Sequence, residues 1–343
     1  MTSAINTQNY WFPGKANQRS IFDFTNDVLN IESPGFPLVP VDSDNFGNVI
    51  TLENDIGYYI LGKYLMDSTF TVVTGSSGIF DKVPENISCN AFAPDTNNAN
   101  AAHLYFIDSD GLHYGHISRD ILKESSIDRL SLISLTYAPV PNSPLCLLGD
   151  SINGGNWLVY ISIENNLKRL VAVYCKADVV LDCEQTLLPI QDNPVNIDMY
   201  KNRIAIVFKT YNLLYGTVSV TDMKMSIAIN GMIANISADC VQTAFSASGS
   251  TLFWLTKTFG KCSVNYMDLL SGVITTTATT GVYQALKRGA DNVIYGLNHQ
   301  TSGSSTLLAV TPNGMLNDFS VSESFVTANG GYFPATGWDI YSL

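Results

Sequence analysis

The feature that most limits what this chain can fold into is a spacing. Trp11, Tyr59, Tyr105, Tyr160, Val207, Phe253 and Tyr295 each sit in a short apolar stretch with strand character, and successive members lie 48, 46, 55, 47, 46 and 42 residues apart. Val241–Gly272 shows one repeat almost in full. A strand ends at Phe245, a polar turn covers Ser246–Ser250, a second strand runs over Thr251–Thr256, and Gly260 turns the chain into a third strand carrying Val264 and Tyr266. A sheet this small cannot bury both faces alone, so it must stack on copies of itself. Continuing from Tyr295 through the end of the chain to Trp11 adds a step of 59 residues, so seven steps account for the 343 residues. The expected fold is all-β: a seven-bladed β-propeller of four-stranded antiparallel blades, with residues 1–343 forming one domain. Six blades with one decorated blade is the alternative. Helical spacing is poor, and even Ile121–Leu132, where some exists, is expected as a loop turn or short helix between β-rich flanks.

The two ends of the chain suggest how the ring closes. Gly331–Leu343 is rich in aromatics (Tyr332, Phe333, Trp338, Tyr341), whereas solvated tails are aromatic-poor. The expectation is that N- and C-terminal strands share one blade, with Tyr332–Ala335 or Trp338–Leu343 paired with, or packed on, the strands around Trp11 and Phe22. Such sharing removes two exposed sheet edges.

Composition narrows the function classes. Apolar residues make up 46% and charged residues only 14%, which suits packed sheets and argues against disorder. The net charge of −12 argues against a nucleic-acid partner, which calls for a basic patch. No apolar run approaches the ~20 residues that span a bilayer as a helix. The opening MTSAINTQNYWF has no basic segment followed by an apolar one, so no signal peptide is expected. The protein is then expected in a virion or extracellular assembly reached by lysis or assembly, and otherwise in the cytoplasm. The six cysteines form no CxxC pair, and most simply are buried thiols; only Cys175 and Cys183 are close enough to face each other.

Asn9-Tyr10-Trp11-Phe12-x-Gly14 followed by Ile21-Phe22-Asp23-Phe24 resembles the opening of β-propeller modules in large surface proteins of gliding Bacteroidota. Tyr283-Gln284-Ala285-Leu286, Asn292-Val293-Ile294-Tyr295, Leu307–Val310 and Pro312-Asn313 resemble a late blade of the same modules. The order and spacing cover most of the chain. Where that family has an Asp-Gly after its aromatic strand, this chain reads Gly57-Tyr58-Tyr59-Ile60-Leu61-Gly62-Lys63. The resemblance implies a similar propeller and a related source. The signal peptide and sorting domain of those proteins are not seen here, which fits a bacteriophage or contractile-apparatus component.

The chemistry-bearing residues are sparse. If Asp108–Gly111 is a tight hairpin turn, Ile107 pairs with Leu112 and His103 falls opposite His116, with side chains near enough to share a metal. His113 has the opposite parity and points to the other face. His103 and His116 are therefore the candidate metal ligands, and a polar cross-strand pair is the plainer reading. Asp108-Ser109-Asp110-Gly111 starts like a calcium loop but has Arg119 where the closing Glu belongs, so turn chemistry explains it; Val41–Asn45 is read the same way. Glu53, Asn54, Asn196, Asp198 and Asn292 are candidates for an axial metal of the kind that lactonase-type propellers use. Ser246–Ser250 with Trp254 resembles a sialidase Asp-box without its Asp. Gly-x-Ser-x-Gly, GxxxxGK[ST] and HExxH are absent. No catalytic residue is assigned and no cofactor is expected, calcium or zinc being the ions to consider.

The expected function is therefore a non-enzymatic structural or interaction propeller, working in adhesion or binding, with protein partners in a larger assembly or a surface glycan. Loops such as Asp95–Ala102, Ser151–Asn156 and Gln300–Ser305 carry Asn, Ser and Gly, which suit adaptable hydrogen bonding. The alternative is a propeller enzyme with an axial metal, lactonase-like or a glycan hydrolase.

Overall fold

The computed structural model describes residues 10–11, 21–24, 29–32, 49–52, 55–61, 63–69, 71–83, 89–120, 124–150, 153–236, 240, 242–258, 260–283, 285–289, 291–298, 305–313, 318–326 and 339–340. Among them every regular element is a strand. A first sheet holds β1 (Tyr10–Trp11), β2 (Ile21–Asp23) and β3 (Asn30–Glu32). A second holds β4 (Val49–Leu52), β5 (Asp55–Leu61) and β6 (Tyr64–Asp67). The third runs β7 (Asn90–Pro94), β8 (Ala101–Ile107), β9 (Leu112–Arg119), β10 (Ser125–Leu132). The fourth has β11 (Cys146–Asp150), β12 (Gly155–Glu164), β13 (Leu167–Lys176) and β14 (Val179–Leu187). The fifth has β15 (Pro194–Tyr200), β16 (Arg203–Phe208), β17 (Asn212–Thr221) and β18 (Lys224–Ala234). Next come β19 (Ala244–Phe245), β20 (Thr251–Thr258), β21 (Lys261–Asp268) and β22 (Ile274–Ala278), then β23 (Lys287–Arg288), β24 (Ile294–Leu297), β25 (Ser305–Pro312) and β26 (Phe319–Val326). A last short strand, β27 (Asp339–Ile340), joins the fourth sheet.

Within each sheet the consecutive strands are antiparallel and adjacent in chain order, as short turns require. The first strands of successive sheets lie against one another: β1 on β4, β4 on β7, β7 on β11, β11 on β15, and β19 on β23. These first strands therefore lie on the inside, and each sheet runs outward from them to its last strand. This is the architecture of a β-propeller.

Burial follows the same geometry. β8 and β12 lie between two strands and two neighbouring sheets, and nearly every residue in them is buried. The outer β14 and β22 are covered on one side at most and leave Val179, Leu181, Leu187 and Ile274 exposed. The core is built between sheets rather than within them. Tyr58, Leu104 and Leu158 from three successive sheets share one cluster, and Val207, Phe253 and Ile294 from three others share a second. Each such side chain taken out of water contributes about 1.5–3 kcal/mol.

Two expectations are corrected. Among the described residues, the N- and C-terminal strands do not share a blade. Asp339 and Ile340 pair in parallel with Leu148 and Gly149 on the inner edge of β11. Among the described residues that edge has no other strand beside it, and the C-terminal strand satisfies part of its row of backbone donors and acceptors. The first sheet instead meets the last by packing: Phe24 and Tyr295 are both buried, their ring centroids 5.8 Å apart. Tyr332–Ala335 and the rest of Trp338–Leu343 lie outside the described residues. The second correction is Ile121–Leu132, whose described part is the strand β10, paired with β9 from Ser125 to Leu132. The ladder offered by β9 overrides a weak helical spacing.

The cysteines are free thiols. Cys183 stands opposite Val173, while Cys175 stands opposite Val180, so the two do not face each other across the ladder.

Candidate functional site

The hairpin count holds. Ile107 pairs with Leu112 and His103 with His116, bringing the two imidazole centroids to 5.6 Å. His113, of opposite parity, stacks on Phe106 at 4.8 Å and bonds Asp108 Oδ1 at 2.9 Å. The same Asp108 oxygen accepts the Asp110 and Gly111 amides, so this aspartate is consumed by the turn that the sequence suggested.

What the count did not supply is the ring of polar groups around the pair. Asp95 follows β7 directly. Its Oδ1 accepts the Asn97 amide at 2.8 Å, and its own amide donates to the Ala101 carbonyl at 3.1 Å, which fixes the carboxylate over the start of β8. Asp128 comes from the other side. The β9–β10 ladder passes from Ile127↔Ile117 to Arg129↔His116, leaving Asp128 as the extra residue of a β-bulge. Bulges re-aim side chains, and here Asp128 reaches His116 Nδ1 at 2.6 Å and accepts from Ser118 Oγ at 2.9 Å. His116 Nε2 lies 3.2 Å from Asp95 Oδ2. Both contacts are donated only by an imidazolium; a neutral ring has one N–H and keeps one of them.

His103 is held differently. Its Nδ1 is 2.9 Å from the Tyr114 hydroxyl, while its Nε2 stands 4.0 Å from Asp95 Oδ1, too far for a direct hydrogen bond. Burial lowers the His103 pKa, Asp95 opposes and His116 reinforces that, and the net shift is downward. Burial pushes Asp95 up, but the Asn97 amide and the two imidazoles outweigh it and hold the carboxyl below its usual range. The Tyr114 phenol is pushed up to about 12, by burial first and against the pull of Arg129.

The fourth sheet supplies the opposite wall. Arg129 on β10 pairs with Asp178 in the β13–β14 turn, and Ser131 Oγ donates to the same carboxylate at 2.9 Å. Ala177 in that turn has φ 54°, a left-handed conformation that costs a non-glycine residue about 1–2 kcal/mol. Asp150 organises the β11–β12 turn, accepting from the Asn153 amide at 3.0 Å, Asn153 Nδ2 at 2.8 Å and the Tyr174 hydroxyl at 3.0 Å. Between these walls lies an open pocket of about 560 Å³. Asp95, Asn97, His103 and His116 face Asn153 and Lys176 across it. Lys176 is exposed and forms no ion pair among the described residues.

The other sequence candidates are scattered. Asn196 and Asp198 lie on β15, and Asn292 sits in the β23–β24 turn with φ 66°. Glu53, Asn54, the Val41–Asn45 loop, Ser151, Ile152 and residues 300–304 lie outside the described residues. Ser246–Ser250 forms a hydroxyl ladder, with Ser248 Oγ 3.0 Å from Ser246 Oγ and 2.7 Å from Ser250 Oγ. Among the described residues, no group of three or more His, Cys, Asp or Glu side chains is placed to hold a metal ion.

No family model matches the sequence, and no curated protein matches it. Solved structures do share its fold. A protein from Lactobacillus plantarum is 10% identical with a TM-score of 0.54, over 94% of this chain and 96% of that one. A proposed 6-phosphogluconolactonase from Bacteroides fragilis is 7% identical with a TM-score of 0.53, over 97% and 99%. BBS1N, solved in complex with ARL6DN, is 12% identical with a TM-score of 0.53, over 92% and 95%. At these identities the likeness is one of fold alone.

Proposed function

We propose that this chain is a non-enzymatic binding propeller, a single domain of seven blades that works as an interaction component of a larger virion-like or extracellular assembly. The seven sheets and the Phe24–Tyr295 contact support the blade count. One observation carries the binding reading: most of the reactive groups of the pocket are bonded to one another. Asp95 and Asp128 both bond His116, Tyr114 bonds His103, and Arg129 pairs with Asp178. Among the described residues Thr96 is the one aliphatic alcohol of the lining, and no imidazole bonds it in the described contacts. Such a surface is pre-organised for hydrogen-bonded recognition, whereas covalent catalysis needs a nucleophile beside a base. A fold neighbour solved with a protein partner is in keeping with this reading. The competing reading is a lactonase-like or glycan-hydrolysing propeller. The test is native mass spectrometry of the protein from its source, with a panel of lactones and glycosides assayed in parallel. A fixed-stoichiometry complex and no turnover is the expected result. A free monomer that hydrolyses either substrate class overturns the proposal.

A further inference from the structure

The pocket's lining restricts its ligand. Among the described residues, every lining residue apart from Gly154 and Ala177 carries a polar side chain, so the lining is more polar than apolar and favours a ligand that hydrogen-bonds. An anion such as phosphate meets the Asp95 and Asp128 carboxylates, and Lys176 is the lining cation that lacks a paired carboxylate among the described residues. A neutral polyhydroxylated ligand suits both signs of partner, because each hydroxyl donates and accepts.

The His103–Asp95 gap gives this a specific geometry. The Nε2 and Oδ1 atoms stand 4.0 Å apart, too far for a direct hydrogen bond and close enough for one oxygen to reach both. Each oxygen of Asp95 and Asp128 has at most one bond from the contacts above and retains a further lone pair. Asn97 and Lys176 stand on the two opposite walls, both exposed.

We infer that the pocket between the third and fourth sheets binds a neutral sugar residue of a glycan, one hydroxyl bridging His103 Nε2 and Asp95 Oδ1 and others reaching Asn97 and Lys176. This rests on the binding reading above and names its ligand class.

The experiment is saturation-transfer NMR on the full chain with glucose, galactose, mannose and N-acetylglucosamine, and with inorganic phosphate and glucuronate tested as competitors. At least one neutral sugar should receive saturation, and the Asn97→Ala/Lys176→Ala double variant should bind it at least tenfold more weakly. Both positions are exposed, so an unchanged melting temperature is expected for that variant. Absence of transfer to all four sugars, equal transfer from the variant, or displacement by phosphate overturns the inference. If the double variant still enters its native complex while no sugar binds, the sugar inference fails and the binding reading stands.

Discussion

Tyr105 offers the sharpest test of how neighbouring sheets are joined. It is fully buried on β8, yet its hydroxyl belongs to the next sheet: it donates to the Ala177 carbonyl at 3.1 Å and lies 3.4 Å from Asn156 Nδ2. Tyr105→Phe keeps the ring and removes only these bonds. Leaving buried partners unsatisfied costs about 1–3 kcal/mol, and the partly exposed Ala177 can recruit water, which favours the lower half of that range. An unfolding entropy of about 2.1 cal/mol/K per residue over 343 residues amounts to about 0.7 kcal/mol/K. A loss of about 1–2 kcal/mol then lowers Tm by about 1.5–3 °C. Tyr105→Ala, which also opens a cavity, should cost about 3–5 kcal/mol. Calorimetry on Tyr105→Phe, Asn156→Ala and the double variant is the assay, with a coupling of at least about 0.5 kcal/mol expected for residues in contact. A Tm unchanged by Tyr105→Phe, or strictly additive losses, would mean that these bonds do not join the two sheets.

Further outcomes follow from the same structure. Asp67, Asp95 and Glu323 are pushed up by burial but held below their usual range by hydrogen bonds, and burial lowers His103. In each case the unfolded chain binds protons more readily, so stability is lost as pH falls: from about 6.5 downward for His103 and from about 4 downward for the carboxylates. Thermal scans should show that decline, a Tm constant from pH 7 to about pH 4 would contradict it, and Asp67→Asn should flatten its most acid part. Burial pushes the Cys89, Cys175 and Cys240 thiols up to about 12, so a thiol reagent at about pH 8 should label at most the half-buried Cys183 in the native protein and all six cysteines after denaturation. A Cβ on Gly216, at the bulge between β17 and β18, would run into the Ala228 carbonyl. Gly216→Ala should therefore cost about 3 kcal/mol, the upper end for overpacking, read as a lower denaturation midpoint.

The sequence made the fold legible because a propeller writes itself as a period. Tyr105, Tyr160, Phe253 and Tyr295 all fall on the second strand of their sheets, as the spacing required. The site was half legible. A two-strand hairpin fixes register locally, so His103 and His116 could be paired by counting. Asp128 could not, because a bulge shifts register by one residue and leaves no mark in composition. Lys176 and Asn153 come from the next sheet, and contacts between sheets depend on how blades stack rather than on any strand's own pattern. The end of the chain misled for a similar reason: the free edges of several innermost strands were open to it, and sequence alone does not choose β11 among them.

Whether this propeller works inside an assembly is decided by an image of the protein in its native setting at a resolution that shows strands. The expected image is a seven-sheet ring at fixed stoichiometry in an assembly, contacting its ligand or partner with the face that carries the β7–β8, β11–β12 and β13–β14 turns. A free, unliganded monomer that turns over a lactone or a glycoside would contradict it.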